Sequence, residues 1–384
     1  KRFEAEVDKS TENIRIARSG YYPSFDINYN TYTLDEATVT ERRENSVFSS
    51  VLSWNIFSGF KDKYNISSAE SSRNVENFRL LAIEQDIQLA VALRYLAVYN
   101  QQARLEVAGD TYKTLESLYI DSKNRYEVGL IDKNSVLKFK VDYDNANLAV
   151  QKEAADLAKA LHELSRVVDL QINENELSFV EFQNTPTLEN QDGLELQMLS
   201  QRSELKALES LAESAEYSVS AEYGDYYPHF DLVGRYRKYD DSLLTGSGEF
   251  SDEELRAELV MSFNVFRGFE DEAEIARAKA DVRSLQYDLV ELQNDFKTTL
   301  KNILVDYEIS LANVEVARED ITYAEENLRI TDLKYKEGVQ RQIDLLDAVS
   351  NLTRAQSNYV AVVKTVFENY FRVIRMIEGF PGRN

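Results

Sequence analysis

Four stretches of this chain alternate apolar and polar residues with a period of two. In the first, Phe25, Ile27 and Tyr29 share one face and Asp26, Asn28 and Asn30 the other. The second sets Phe48, Ser50, Leu52, Trp54 and Ile56 against Val47, Ser49, Val51, Ser53 and Asn55. The third opposes Phe230, Leu232 and Tyr236 to Asp231, Arg235 and Arg237. In the fourth, Leu255, Ala257, Leu259, Met261, Phe263 and Val265 oppose Arg256, Glu258, Ser262 and Asn264. Such patterning predicts strands with one apolar and one polar face. Polar loops, Thr33–Asn45 and Asp240–Asp252, join them in pairs, so hairpins are expected at about 22–57 and 227–266.

Elsewhere the period is seven. Val91, Val98, Leu105, Tyr112, Tyr119 and Tyr126 form one seam, and Leu300, Tyr307, Val314, Ile321, Leu328 and Tyr335 another. Ile275, Val282, Leu289, Phe296 and Ile303 form a third. A heptad kept this long imposes coiled-coil packing. Since no proline and almost no glycine interrupts them, Lys61–Val128 and Glu270–Glu337 are predicted as single helices. Each would be roughly 100 Å long, about three bilayer hydrocarbon thicknesses. Tight turns at Gly129 and Gly338 lead into returning helices, Lys133–Val168 and Gln342–Glu378. Shorter helical segments, Lys1–Ser19 and Leu188–Glu222, precede the hairpins and stop where glycine and proline follow.

The chain is written twice. Tyr21-Tyr22-Pro23-Ser24-Phe25-Asp26 returns 205 positions on as Tyr226-Tyr227-Pro228-His229-Phe230-Asp231. Asn55-Ile56-Phe57-Ser58-Gly59-Phe60 returns 209 positions on as Asn264-Val265-Phe266-Arg267-Gly268-Phe269. Arg125-Tyr126-Glu127-Val128-Gly129-Leu130 returns, less closely, as Lys334-Tyr335-Lys336-Glu337-Gly338-Val339. Two repeats are therefore expected, 1–186 and 187–384, with an irregular bridge at about 169–191. The partner of Thr187–Tyr226 reaches upstream of Lys1, so the chain is expected to be cut at its front.

Charge narrows the function classes. With 67 Asp and Glu against 44 Lys and Arg, the net charge of −23 argues against a nucleic-acid partner. The lack of cysteine excludes disulfides and thiolate metal sites. No run approaches 18 consecutive apolar residues, so no membrane-spanning α-helix is predicted. Four strands cannot close a membrane barrel, which starts at about eight. Lipid does not tolerate the open edges of a four-stranded sheet. The hairpins must therefore pair with those of other copies; two, three or four chains would give 8, 12 or 16 strands, and the residues alone do not choose.

The doubled order of helix, Tyr-Tyr-Pro hairpin, Asn-x-Phe-x-Gly-Phe, long helix, glycine turn and returning helix resembles the TolC family of outer-membrane efflux channels. The resemblance spans all but the loop tips and the bridge. It implies a mainly α fold with a transmembrane β part: two hairpins per chain in a shared 12-stranded barrel, continuous with a long α-helical coiled-coil barrel in the periplasm. Partners implied are two further copies of the chain, a periplasmic adaptor, an inner-membrane transporter and outer-membrane lipid.

Ile343-Asp344-Leu345-Leu346-Asp347-Ala348 is similar to the family's gate motif, which implies that Asp344 and Asp347 form an acidic constriction. Residues three apart share a helix face, so each would form a ring of carboxylates in a symmetric assembly. An ordinary acidic first turn is the plain structural alternative. Where family members carry a basic latch, this chain has Gln340, with Arg341 one place on; the first repeat's counterpart of Asp344 is Ser135. Val128-Gly129-Leu130, and in weaker form Gly338-Val339, match the tips where the adaptor is expected to dock. Tyr21, Tyr22, Trp54, Tyr226 and Tyr227 are candidate aromatics for the membrane interface.

No motif for catalysis or for a cofactor occurs, and Gly246-Ser247-Gly248 reads as a loop tip, not a phosphate cradle. His162 and His229 lack neighbours at metal-ligand spacing. The expectation is a passive duct, not an enzyme, exporting small toxic molecules. Alternatives are a duct for a secreted protein or a metal ion, although 3 methionines argue against a dedicated copper route. A soluble coiled-coil scaffold is the remote alternative.

Overall fold

The computed structural model describes residues 1–39, 41, 43–182, 184–188, 193–246 and 251–381, with only the backbone of Ser251. The first repeat contains α1 (Arg2–Arg18), β1 (Ser24–Thr33), β2 (Glu44–Ser58), α2 (Lys61–Glu127) and α3 (Lys133–Val168). The second contains α4 (Leu194–Gln201), α5 (Ser203–Glu222), β3 (His229–Asp240), β4 (Ser251–Ser262), α6 (Glu270–Lys336) and α7 (Gln342–Met376). Helices α2 and α6 have 67 residues each, about 100 Å at the helical rise. Among the described residues no helix is long and apolar enough to cross a membrane.

Two compact units result, and each takes segments from both repeats. Lys1–Leu81 and Ser203–Gln293 form one; Ala82–Arg202 and Asn294–Asn384 form the other. The first holds an antiparallel sheet of order β1-β2-β3-β4. Beside it, α2 and α5 meet along small residues, with Ser68 and Ser72 hydroxyls each 2.9 Å from that of Ser214. In the second unit the heptad seams are the core. Leu96, Tyr307, Val314, Val363, Val366 and Phe367 are buried together, and Phe139, Tyr335 and Leu345 form a separate cluster.

Three expectations change. The alternation continued the fourth strand to Val265, but β4 ends at Ser262. In β2 the residues Trp54–Ser58 find a neighbour in the start of β3, whereas Phe263–Arg267 follow an edge strand and have no strand beside them among the described residues. The helix expected over Leu188–Glu222 is two helices, broken at extended Arg202. No proline or glycine marks that break. It places the buried Arg202 guanidinium 4.1 Å from the centre of the Phe296 ring and 3.2 Å from the carbonyl oxygens of Arg375 and Met376. Both carbonyls lie at the end of α7, where the helix dipole favours a cation. The bridge, finally, is not only a connector: Phe182, in a short 3₁₀ turn, is buried against Tyr99 and Phe367. Residues 183 and 189–191 of the bridge and Ser247 and Gly248 of the loop tip lie outside the described residues.

Candidate functional site

Two regions carry the residues singled out by sequence. In the first unit, alternation puts Phe25, Ile27, Leu52, Trp54, Ile56, Leu255, Leu259 and Met261 on an exposed apolar face. Tyr21, Tyr22, Tyr226 and Tyr227 stand exposed just before the two strands that open the hairpins. Trp54 donates its indole N–H to the Tyr21 carbonyl at 3.0 Å, which joins one expected interface aromatic to another. A patch of this size on one side of a sheet marks a surface made for an apolar phase or a partner.

In the second unit, α2 passes into α3 and α6 into α7 through matching turns. Gly129 and Gly338 adopt φ of +79° and +78°, the left-handed conformation that a side chain resists. Leu130 N–H donates to the Arg125 carbonyl at 2.8 Å, and Val339 N–H to that of Lys334 at 2.9 Å. Val128, Leu130 and Val339 are exposed.

The helix starts beyond these turns differ in chemistry. Asp132 caps α3 by accepting the Ser135 N–H at 2.7 Å, which holds its carboxyl below the usual range. At α7 the acid sits three residues later. Asp344 accepts the Arg341 backbone N–H at 3.2 Å and pairs with the Arg341 guanidinium at 3.2 Å. The guanidinium contributes most to holding its carboxyl low, and the backbone N–H adds to it. Asp344 is half-buried and Asp347 exposed, while Leu345, Ala348 and Val349 turn into the core. Gln340 donates its backbone N–H to the Lys334 carbonyl at 3.2 Å. Arg341 thus pairs within its own chain, and the plain capping role of Asp344 is present beside whatever else it does.

Sequence reasoning missed two contacts here. The Gln342 side-chain amide donates to the Ser135 carbonyl at 2.6 Å, joining the starts of α7 and α3. Tyr335 is buried with the Arg125 guanidinium 5.5 Å from its ring centre and Phe139 edge-on at 6.0 Å. The repeated Arg-Tyr and Lys-Tyr pairs pointed to these positions, but not to the burial of only one tyrosine. Of the histidines, His162 is exposed and His229 lies 4.0 Å from Asp225.

Residues 1–168 and 196–375 match the family model described as outer membrane efflux protein, and the chain belongs to that family. It is similar to the outer membrane efflux protein BepC of Brucella suis, 20% identical over 345 residues, which cover 90% of this chain and 74% of BepC. Its fold is similar to that of the outer membrane protein VceC of Vibrio cholerae, with TM-score 0.81, 15% identity and coverage of 98% of this chain and 92% of VceC. The open state of the Neisseria gonorrhoeae MtrE outer membrane channel gives TM-score 0.77, 16% identity and coverage of 98% and 85%. The chain is thus an outer-membrane efflux duct with a helical periplasmic extension.

Proposed function

We propose that three copies of this chain form the exit duct of a three-part pump, with a periplasmic adaptor and an inner-membrane transporter, and that small toxic molecules leave through it. Each copy is read as two repeats, 1–186 and 187–384, that add one hairpin each to a shared 12-stranded barrel. The observation that carries this reading is the sheet, whose apolar face is exposed on all four strands and whose borders β1 and β4 have no further strand beside them among the described residues. Hydrocarbon admits no such edges, so other copies complete the sheet and outer-membrane lipid covers its face. Tyr21, Tyr22, Trp54, Tyr226 and Tyr227 then anchor the barrel at the headgroup level.

At the helix tips Asp344 and Asp347 form stacked rings of carboxylates that narrow the exit path and favour cations. Arg341 and Gln340 are assigned the latch. For Arg341 to reach a neighbouring copy it must leave its own Asp344, so unlocking and ring charge are coupled. The exposed Val128-Gly129-Leu130 and Gly338-Val339 turns receive the adaptor. The duct catalyses nothing; the transporter supplies the energy.

The test is conductance across planar bilayers. Asp344→Ala combined with Asp347→Ala is expected to raise single-channel conductance and weaken block by multivalent cations. Unchanged conductance and block would remove both residues from the constriction.

A further inference from the structure

The two hairpins carry different chemistry on their polar faces. In the first, Asn30, Tyr32, Asn45, Val47 and Ser49 share that face, and none is charged. Moved by 205 positions on the opening strand and 209 on the closing one, they become Arg235, Arg237, Glu254, Arg256 and Glu258. The pairing is kept: Asn30 lies opposite Val47, and Arg235 opposite Arg256. A neutral face is enough for the first hairpin, so wetting alone does not account for three arginines and two glutamates on the second.

Like charges directly opposite on antiparallel strands destabilise the pair, and the glutamates relieve this unevenly. The Arg256 guanidinium takes both, at 2.6 Å from Glu254 and 3.1 Å from Glu258. Glu254 also lies 4.0 Å from Arg237, which donates to the Tyr239 hydroxyl at 3.5 Å. The Arg235 side chain forms no ion pair or hydrogen bond among the described residues. Asp26 stands in the same row across the sheet, but two strands away beyond Val51, about 10 Å at the usual strand spacing. One arginine of the three is therefore left with its donors free.

That guanidinium has apolar company on a face that is otherwise mostly polar. Val51 lies opposite Arg235 on β2, and Val233 precedes it by two residues on the same strand and face. Both valines are half-buried. A guanidinium presents a planar fork of donors that matches a carboxylate or phosphate in bidentate fashion. Beside two valines, the fork suits an anion that also has an apolar body. We propose that Arg235, Val51 and Val233 form a subsite on the inner wall of the barrel for the carboxylate of an amphipathic organic anion. The inference rests on the duct reading, which turns the polar face toward water inside the barrel, and it names one class of cargo for that duct.

The surrounding charges decide how strongly it binds. Arg256 and Arg237 hold Glu254 and Glu258 away from Arg235, which keeps the fork open. A single half-exposed charge acts only within a Debye length, about 8 Å at physiological ionic strength. The subsite is therefore weak, local and sensitive to salt. An exit path needs this, because a site that admits cargo must also release it. A carboxylate passes the acids of the helix tips only where these stand apart, so the subsite serves the open duct.

Phenylglyoxal, which modifies accessible guanidinium groups, reads Arg235 directly in the full chain reconstituted in lipid, with the modified sites located by mass spectrometry. Arg235 should react about tenfold faster than Arg256, whose donors are engaged. At low salt, 4-butylbenzoate at twice its dissociation constant should slow Arg235 about threefold, and neutral 4-butylbenzamide should not. Equal slowing by the amide, or none by the carboxylate, overturns the subsite. Slowing that is undiminished in Val51→Thr combined with Val233→Thr overturns its apolar half and with it the class of cargo. In planar bilayers under a salt gradient, Arg235→Gln should shift the reversal potential toward cation selectivity, and Arg235→Lys should not. Pores that conduct but show no such shift fail the subsite alone. Protein that neither enters lipid nor conducts fails the duct reading, and the subsite with it.

Discussion

Arg166 and Arg375 stand at the same place in the two repeats, 209 positions apart near the ends of α3 and α7. Each is followed three residues later by a left-handed residue, Asp169 at φ 58° and Glu378 at φ 53°. There the likeness stops. Arg166 has a side chain 66% exposed and pairs with Glu163 on its own helix at 2.9 Å. That of Arg375 is 5% exposed and lies 2.7 Å from Asp86 and 3.2 Å from the Ala82 carbonyl. Duplication has kept the backbone and changed what surrounds it. A repeat therefore reports geometry in both copies, while burial has to be established in each.

The junction glycines test that lesson most severely. A methyl group on Gly59 would lie 2.1 Å from the Gly224 carbonyl oxygen, while one on Gly268 meets nothing within 4 Å among the described residues. Both positions have positive φ, so each alanine carries backbone strain of about 1–2 kcal/mol. At Gly59 overpacking against fixed backbone brings the expected loss to about 4 kcal/mol. Gly59→Ala should fail to accumulate as folded protein or melt far below the parent by far-UV circular dichroism. Gly268→Ala should fold.

Next in size is the arginine pair itself. Arg375→Ala removes a nearly buried cation, an ion pair and a cap on the Ala82 carbonyl, for about 3 kcal/mol. Arg166→Ala removes an exposed pair within one helix and should cost about 0.5 kcal/mol or less. Equal losses of thermal stability in the two variants would show that burial does not separate the repeats as described.

The same contrast explains what could be read in advance. Alternation at Phe25, Ile27 and Tyr29 and heptads through Leu300, Tyr307 and Val314 depend on local periodicity, so strands and long helices were legible. The candidate gate was legible only as a motif; that Asp344 is tied to Arg341 required the turn geometry. The break at Arg202 and the burial of Phe182 and Arg375 depend on partners distant in sequence. The end of β4 was misread for another reason. Alternation describes a strand's faces, but pairing sets its length, and among the described residues no strand lies beside Phe263–Arg267.

The smallest expected effect compares the two helix starts through their acids. Asp132 and Asp344 both have carboxyls held below the usual range, by the Ser135 N–H and by the Arg341 guanidinium respectively. A group depressed in the folded state contributes stability that is complete above its unfolded pKa, about 4, and is lost as pH falls through the folded value. Both caps should therefore hold at neutral pH and weaken only in acid. Hydrogen-exchange protection at the starts of α3 and α7, corrected for intrinsic rate, reads the two separately. In Arg341→Ala the α7 cap should weaken at higher pH than in the parent, while α3 is unchanged; a shared shift would disconnect Arg341 from Asp344. Assembly adds an opposing influence at one site only. Crowded carboxylates raise each other's pKa, so a tight Asp344 ring must lift the α7 midpoint in the oligomer above that of the monomer. An α7 midpoint in the oligomer no higher than that of the monomer would mean that the carboxylates stand apart, which is the arrangement of a wide tip.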